Sequence, residues 1–138
     1  MTRISRARID LEDGRVDNAF LKDYGETCVG GASGTNTTST YTVDLESGNV
    51  FHLILSASCT FTFSNPPASA THGAFTLVLA QDGTGSRIAT WPASVIWPSG
   101  TAPTLTTTAS RYDTLNFTTF DAGVTWFGVI TGYNFNLS

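Results

Sequence analysis

The sequence predicts an all-β protein: an antiparallel β-sandwich or jelly-roll-like domain with an extended N-terminal arm. Three observations lead to this class. Thr and Ser together supply roughly a quarter of the 138 residues, whereas charged residues make up only 13%, about half the usual share. Thr, Val and aromatic residues favour strands, and with Lys22 as the only lysine the chain lacks the composition of a helical bundle. Apolar residues alternate with polar ones over long stretches, which is the period of a half-buried strand.

The N-terminal region differs from the rest in charge. Residues 1–26 hold five of the seven basic and six of the eleven acidic residues. Residues 7–11 alternate apolar and charged side chains and predict a short extended segment. Residues 16–24 carry apolar side chains at helical spacing and predict a short helix that ends at Gly25.

A domain boundary is expected after this arm. Residues 30–40 contain only Gly, Ala, Ser, Thr and Asn without periodicity, and we interpret them as a flexible linker. Residues 1–40 are therefore assigned to the arm and linker, and residues 41–138 to one β-domain. This length suffices for a single core without metal or disulfides.

The pattern of residues 41–138 predicts successive strands. A strand begins at Tyr41, and apolar residues occupy every odd position from Phe51 to Phe63, a run long enough to require a bend midway. This parity places Cys59 in the core and His52 on the opposite face. Further strands are expected over 75–79, 95–97, 115–119 and 126–130, and a hairpin turn over 81–86 is expected to pair 87–91 back onto the preceding strand.

Charge and hydropathy exclude several classes. The net charge of −4 argues against a nucleic-acid binder, which normally presents a basic surface. No apolar stretch is long enough to span a membrane, and the N-terminus does not have the pattern of a secretory signal. Folding in a cytoplasm is therefore expected, and Cys28 and Cys59 are predicted to be free thiols that do not bond each other within one chain. A disulfide of Cys28 between neighbouring subunits stays open as the alternative.

No constellation in the sequence predicts catalysis. The two histidines and two cysteines lack the spacing of zinc ligands. Asp82, Asp113 and Asp121 lie at or near turns, where Asp side chains bond nearby backbone amides, and this is favoured over a glycosidase pair. The Gly-rich segment 82–86 lacks the lysine and helix of a phosphate-binding loop. We expect no enzyme activity, no cofactor and no metal.

The tryptophans are the strongest lead to a binding surface. Trp91 and Trp97 each precede a proline, and Trp126 lies in the last predicted strand. Rings of this size usually anchor a core. A subunit interface and a sugar-stacking face, to which Tyr112, Phe127 and Tyr133 would also contribute, stay open as alternatives.

Several motifs resemble a small β-domain of tailed-bacteriophage virion proteins, found in head-decorating and tail-fibre-like proteins. In the body they are Asp44–Phe51, Asn65–Pro67, Leu79–Gly85, Trp91–Pro98, Gly100–Leu105 and Thr125–Gly128. In the arm, Ile9–Arg15 and Leu21–Gly25 are similar to the leader of that domain. The chain has Asp121-Ala122-Gly123 where the family commonly has Gly-Gly after the aspartate, a change expected to affect only turn geometry. The resemblance implies a structural role in the virion and no catalytic residue.

On this resemblance we expect a virion protein made in the host cytoplasm, with a capsid decoration (head-stabilising) protein as the leading interpretation. The alternative is a tail or baseplate appendage that binds host-surface glycans; a glycan hydrolase is the least favoured class. The partners expected are copies of the chain itself, as a trimer, and other virion proteins such as the major capsid protein. The residues expected to dock on the particle are Arg3, Arg6, Arg8, Ile9, Leu11 and Phe20, because the apolar ones need a partner surface and the arginines can bond acidic groups on it.

Overall fold

The fold, taken from a computed structural model that describes residues 16–137, is built from ten strands, one 3₁₀ turn and no α-helix within that range. The strands are β1 (Cys28–Val29), β2 (Thr35–Thr37), β3 (Thr40–Asp44), β4 (Val50–Leu55), β5 (Cys59–Ser64), β6 (Gly73–Gln81), β7 (Ala89–Thr90), β8 (Val95–Ile96), β9 (Arg111–Thr119) and β10 (Trp126–Asn136). The 3₁₀ turn covers Pro98–Gly100. The predicted all-β class is confirmed for these residues.

The strands form two sheets. The larger sheet has the order β1-β4-β6-β9-β10-β8, and β2 also pairs with β4. The smaller sheet has the order β3-β5-β7. From β2 to β7 the chain alternates between the sheets. From β4 onward, each of these strands pairs in parallel with the preceding strand of its own sheet.

The expectation of antiparallel pairing was wrong for most of the fold. Six strand pairs are parallel, and only β6–β9 and β9–β10 are antiparallel. The bend expected between Phe51 and Phe63 exists, but it carries the chain from the larger sheet to the smaller one, so β4 and β5 do not share a sheet. Alternation fixes which side chains are buried, whereas the choice of neighbouring strand depends on where each turn sends the chain.

The core lies between the two sheets. The central contact is the Phe63 ring of β5, whose centroid lies 5.0 Å from that of Phe75, 5.1 Å from that of Phe117 and 5.2 Å from that of Trp126. All three partners belong to the larger sheet and are at most 2% exposed. Aliphatic side chains surround this cluster; they are Val43, Leu53, Leu55, Leu77, Leu79, Val95 and Leu115. The odd-position residues of β4 and β5, including Cys59, are buried as predicted, with Phe63 partly buried.

Two predictions for the N-terminal region were wrong. Residues 16–27 contain no helix and are exposed, because the apolar side chains at helical spacing have no surface to pack against. The supposed linker, residues 30–40, contains a strand: β2 pairs with Leu53–Leu55, and Thr37 is buried. Just before it, β1 pairs with Val50–Phe51. The larger sheet thus begins at Cys28, before the boundary expected after residue 40.

The hairpin expected after β6 is replaced by a crossing to the other sheet. The buried amide of Gln81 receives a hydrogen bond from the Arg87 backbone N–H (2.9 Å) and donates to the carbonyls of Arg87 and Thr106 (both 3.0 Å). These bonds hold the loop where the chain leaves the larger sheet. Residues 89–90 then pair with β5 rather than with β6.

Three aspartates stabilise turns. The Asp82 carboxylate accepts bonds from Arg87 (2.8 Å) and from the Gly85 N–H (2.8 Å), which hold its pKa below the usual value. The pKa of Asp44 is lowered by the Asn65 amide and the Glu46 N–H, and that of Asp121 mainly by the Thr125 N–H. These carboxylates therefore favour the folded chain when ionised.

We predict that the free energy of unfolding falls with acidification below about pH 5. In the unfolded chain these carboxyls have a pKa of about 3.8, and in the folded protein it is lower, so the unfolded chain takes up protons first as the pH falls. Urea midpoints measured from neutral to acidic pH should show this loss, and Asp82→Asn should reduce it more than Asp23→Asn in the exposed arm. A midpoint that stays constant or rises on acidification would contradict the prediction.

Candidate functional site

The outward face of the larger sheet carries no charged side chain on its central strands. Strand alternation turns the following residues outward: His52, Ile54, Ala74, Thr76, Val78, Tyr112, Thr114, Asn116, Thr118, Phe127, Val129 and Thr131. Phe127 and Val129 of β10 are 43% and 42% exposed. Charge depletion together with exposed aromatic residues is typical of the centre of a protein interface.

A groove crosses this face beside β8. It encloses about 400 Å³ and is lined by Ile96, Trp97, Pro98, Asn116, Thr118, Phe127, Gly128 and Val129. Phe127 also stacks on Phe120, with ring centroids 5.7 Å apart, so the apolar surface continues past the end of the groove. The groove offers rings and aliphatic groups with one amide and one hydroxyl, and this chemistry suits an apolar or uncharged partner.

A second apolar hollow lies on the same face near the C-terminal end of β10. It encloses about 240 Å³ between His52, Val78, Tyr112, Thr114, Phe135 and Leu137. His52 lies on the outward side of β4, as predicted, and its Nδ1 donates to the Gly31 carbonyl at 2.9 Å. Its ring lies 5.8 Å from that of Tyr112. The histidine thus holds the loop after β1 against the sheet.

The three tryptophans have different positions. Trp126 is 2% exposed and belongs to the core. Trp91 is half-buried, with its ring stacked on Phe61 at 5.1 Å. Trp97 bridges the two surfaces, because its ring contacts Trp91 and Phe117 on the inner side and also lines the groove. Of the three tryptophans, Trp97 lines the groove. Tyr133, a further aromatic candidate from the sequence, is exposed farther along β10.

The smaller sheet presents a different outward surface. Thr40, Thr60 and Thr90 stand side by side on β3, β5 and β7, and the Thr42 and Thr62 hydroxyls bond each other at 2.9 Å. All five are exposed. Hydroxyls remain well hydrated, so this face is compatible with water, unlike the phenyl rings of β10.

The residues proposed for docking are only partly covered by the structure. Phe20 is 101% exposed, and the neighbouring apolar residues Val16, Leu21 and Tyr24 are also exposed. Arg3, Arg6, Arg8, Ile9 and Leu11 lie outside the described residues. The arm joins the body at Thr27, whose carbonyl accepts the N–H groups of Asn49 and Val50.

Asp113 and the two cysteines occupy structural positions in the described part of the chain. Asp113, 3% exposed, accepts bonds from the Thr106 N–H and hydroxyl and from the Asn134 N–H, and it fastens the loop before β9 to the bulged end of β10. Burial raises the pKa of the Cys59 thiol, and Cys28 is exposed on the other sheet.

Across residues 16–137, no three His, Cys, Asp or Glu side chains are grouped so that they could hold a metal ion. The same part of the chain contains no helix long and apolar enough to cross a membrane.

Sequence reasoning missed most of the groove. Ile96, Asn116, Thr118 and Val129 were seen only as strand positions. The available indication was their position along the strands. Asn116 and Thr118 flank the core residue Phe117, and Val129 lies three positions after the core residue Trp126, so alternation turns all three outward on adjacent strands.

The groove depends on a close approach that we expect to be sensitive to one methyl group. A Cβ at Gly128 would lie 2.8 Å and 2.9 Å from two Trp97 ring carbons and 2.9 Å from a Val95 methyl. Gly128→Ala should therefore lower the free energy of unfolding by about 1–3 kcal/mol. Gly83→Ala is the matched control, because a Cβ there meets nothing within 4 Å. Equal urea midpoints for the two variants would show that Trp97 is not held as described.

Comparisons of the chain with protein-family models, with curated proteins and with solved structures find no match. The likeness of the body to phage virion domains therefore stays a prediction from the motifs quoted above.

Proposed function

We propose that the protein is a non-enzymatic structural component of a bacteriophage virion, acting as a capsid decoration protein. The observation that supports this best is the outward face of the larger sheet, whose central strands carry no charged side chain there and which exposes Phe127 and Val129. A free monomer would hold apolar groups in water there, whereas a subunit packed against neighbours would bury them. We take the two layers to be a β-sandwich that presents this face.

The proposed partners are other copies of the chain, assembled as a trimer, and the shell beneath them. A protein that binds only the assembled shell stabilises it by mass action, and this is how decoration would strengthen a capsid. The arm supports the proposal because Phe20 and Leu21 are exposed and attached to a body whose sheet begins only at Cys28. An exposed apolar segment of this kind can become ordered on a partner surface.

A second candidate is a tail or baseplate appendage that binds host-surface glycans. The groove beside β8 favours it, because the Trp97 and Phe127 rings there lie near the amide of Asn116 and the hydroxyl of Thr118. Sugars are bound by aromatic rings combined with uncharged hydrogen-bonding groups. Loss of glycan binding in Phe127→Ser, with an unchanged melting temperature, would favour this candidate over decoration.

We predict that removing residues 1–26 leaves a soluble domain with a cooperative melt that no longer binds particles lacking the protein. The body retains Thr27, which bonds β4, and every residue of the core. The measurement is co-sedimentation of the full and shortened chains with such particles, together with the number of copies in purified virions by quantitative mass spectrometry.

Decoration predicts copies in the hundreds, and an appendage predicts a few. Unchanged binding by the shortened chain would show that the arm is not the anchor. A monomeric mass of the full chain by light scattering at micromolar concentration would contradict the proposed oligomer.

A further inference from the structure

The arm meets the body next to the groove. Glu26 lines a small crevice with Asn49, Thr76 and Asn116, and the Asn116 side chain also lines the groove beside β8. The crevice and the groove therefore adjoin on the outward face of the larger sheet. The arm leaves the body at one end of the groove.

The apolar side chains of the arm within residues 16–27 are exposed in the structure. Phe20 is 101%, Leu21 74% and Tyr24 66% exposed. The groove, lined by Ile96, Trp97, Phe127 and Val129, contains no charged residue and is open in the same chain. Within residues 16–137, one chain thus carries two apolar surfaces, an exposed segment and an open groove, that no other described residue covers.

We propose that residues 20–24 of one copy occupy the groove beside β8 of a neighbouring copy, in the oligomer on which the proposed function depends. Residue 20 lies seven residues before Thr27, where the chain is bonded to the body, so an extended segment can carry it at most about 25 Å away. This distance is enough for residues 20–24 to lie on a neighbouring copy that packs against the same face. Each copy gives an arm and receives one, so in a closed ring such as the proposed trimer neither surface is left open. The arm therefore links copies to one another, in addition to any contact with the particle.

Because the groove is formed by β8, β9 and β10 and the arm precedes β1, cysteines at the two places can test the exchange directly. In a Cys28→Ser background, Leu21→Cys is placed in one chain and Val129→Cys in a second chain that carries a tag. Cys59 stays, since it is buried. The two purified chains are mixed, oxidised under mild conditions and separated on a gel without reductant.

We expect a disulfide between tagged and untagged chains that disappears with reductant. The control pairs Leu21→Cys with Thr60→Cys, which is exposed on the smaller sheet. The control should give only a minor band, because a disulfide requires Cα atoms about 4.4–6.8 Å apart. Equal bands for the two pairs would overturn the proposal.

A chain carrying both Leu21→Cys and Val129→Cys separates the remaining outcomes. A bond within one chain, seen as a faster monomer band, would show that the arm closes on its own body and would overturn the exchange. Absence of any bond in a protein that is oligomeric by light scattering would overturn this contact alone. Absence of any bond in a monomeric protein would overturn the proposed oligomer as well. Melting temperatures equal to that of the parent chain show that each variant is folded.

Discussion

The contact on which the structure depends is the packing of Phe63 from the smaller sheet against Phe75, Phe117 and Trp126 of the larger one. Edge-to-face contacts of this kind contribute about 0.5–1.5 kcal/mol each beyond the area that they bury. The cluster joins two sheets whose strands alternate along the chain, so it also fixes the loops between them. Because this packing buries one side of each strand, the side chains on the other side remain exposed. The chemistry of the two outward surfaces therefore follows from the same packing.

The two outward surfaces differ in what they can do. Threonine hydroxyls cover the smaller sheet and can exchange hydrogen bonds with water. The larger sheet exposes Phe127 and Val129 beside an uncharged groove, and its last strand pairs with β8 only at Trp126–Phe127. Exposed apolar surface and an open strand edge are usually avoided in monomers, because both promote association. Their presence together, next to an exposed apolar arm, is consistent with a protein that works in an assembly.

The sequence predicted burial better than it predicted pairing. Alternation from Phe51 to Phe61 identified the core side of β4 and β5, because a period of two depends only on local geometry. It could not indicate that β5 belongs to the other sheet. The Gln81 amide, which holds the loop where β6 ends, resembles any polar strand residue in the sequence. Residues 35–37 have no apolar side chain and so resembled a linker, although they form a strand that pairs with β4. Trp97 was a candidate interface residue from the sequence alone. The other groove residues come together only through the pairing of β8, β9 and β10.

In the proposed assembly, the outward face of the larger sheet, and not that of the smaller one, is covered by other subunits. The most direct measurement is the mass in solution, by light scattering, of two matched variants. Thr118→Lys places a charge in the uncharged groove on β9, and Thr60→Lys places one among the threonines of β5. We predict that the first variant loses the oligomer while keeping the parent melting temperature, and that the second keeps both. An oligomer that survives Thr118→Lys, or that is lost equally with Thr60→Lys, would show that this face is not the covered one.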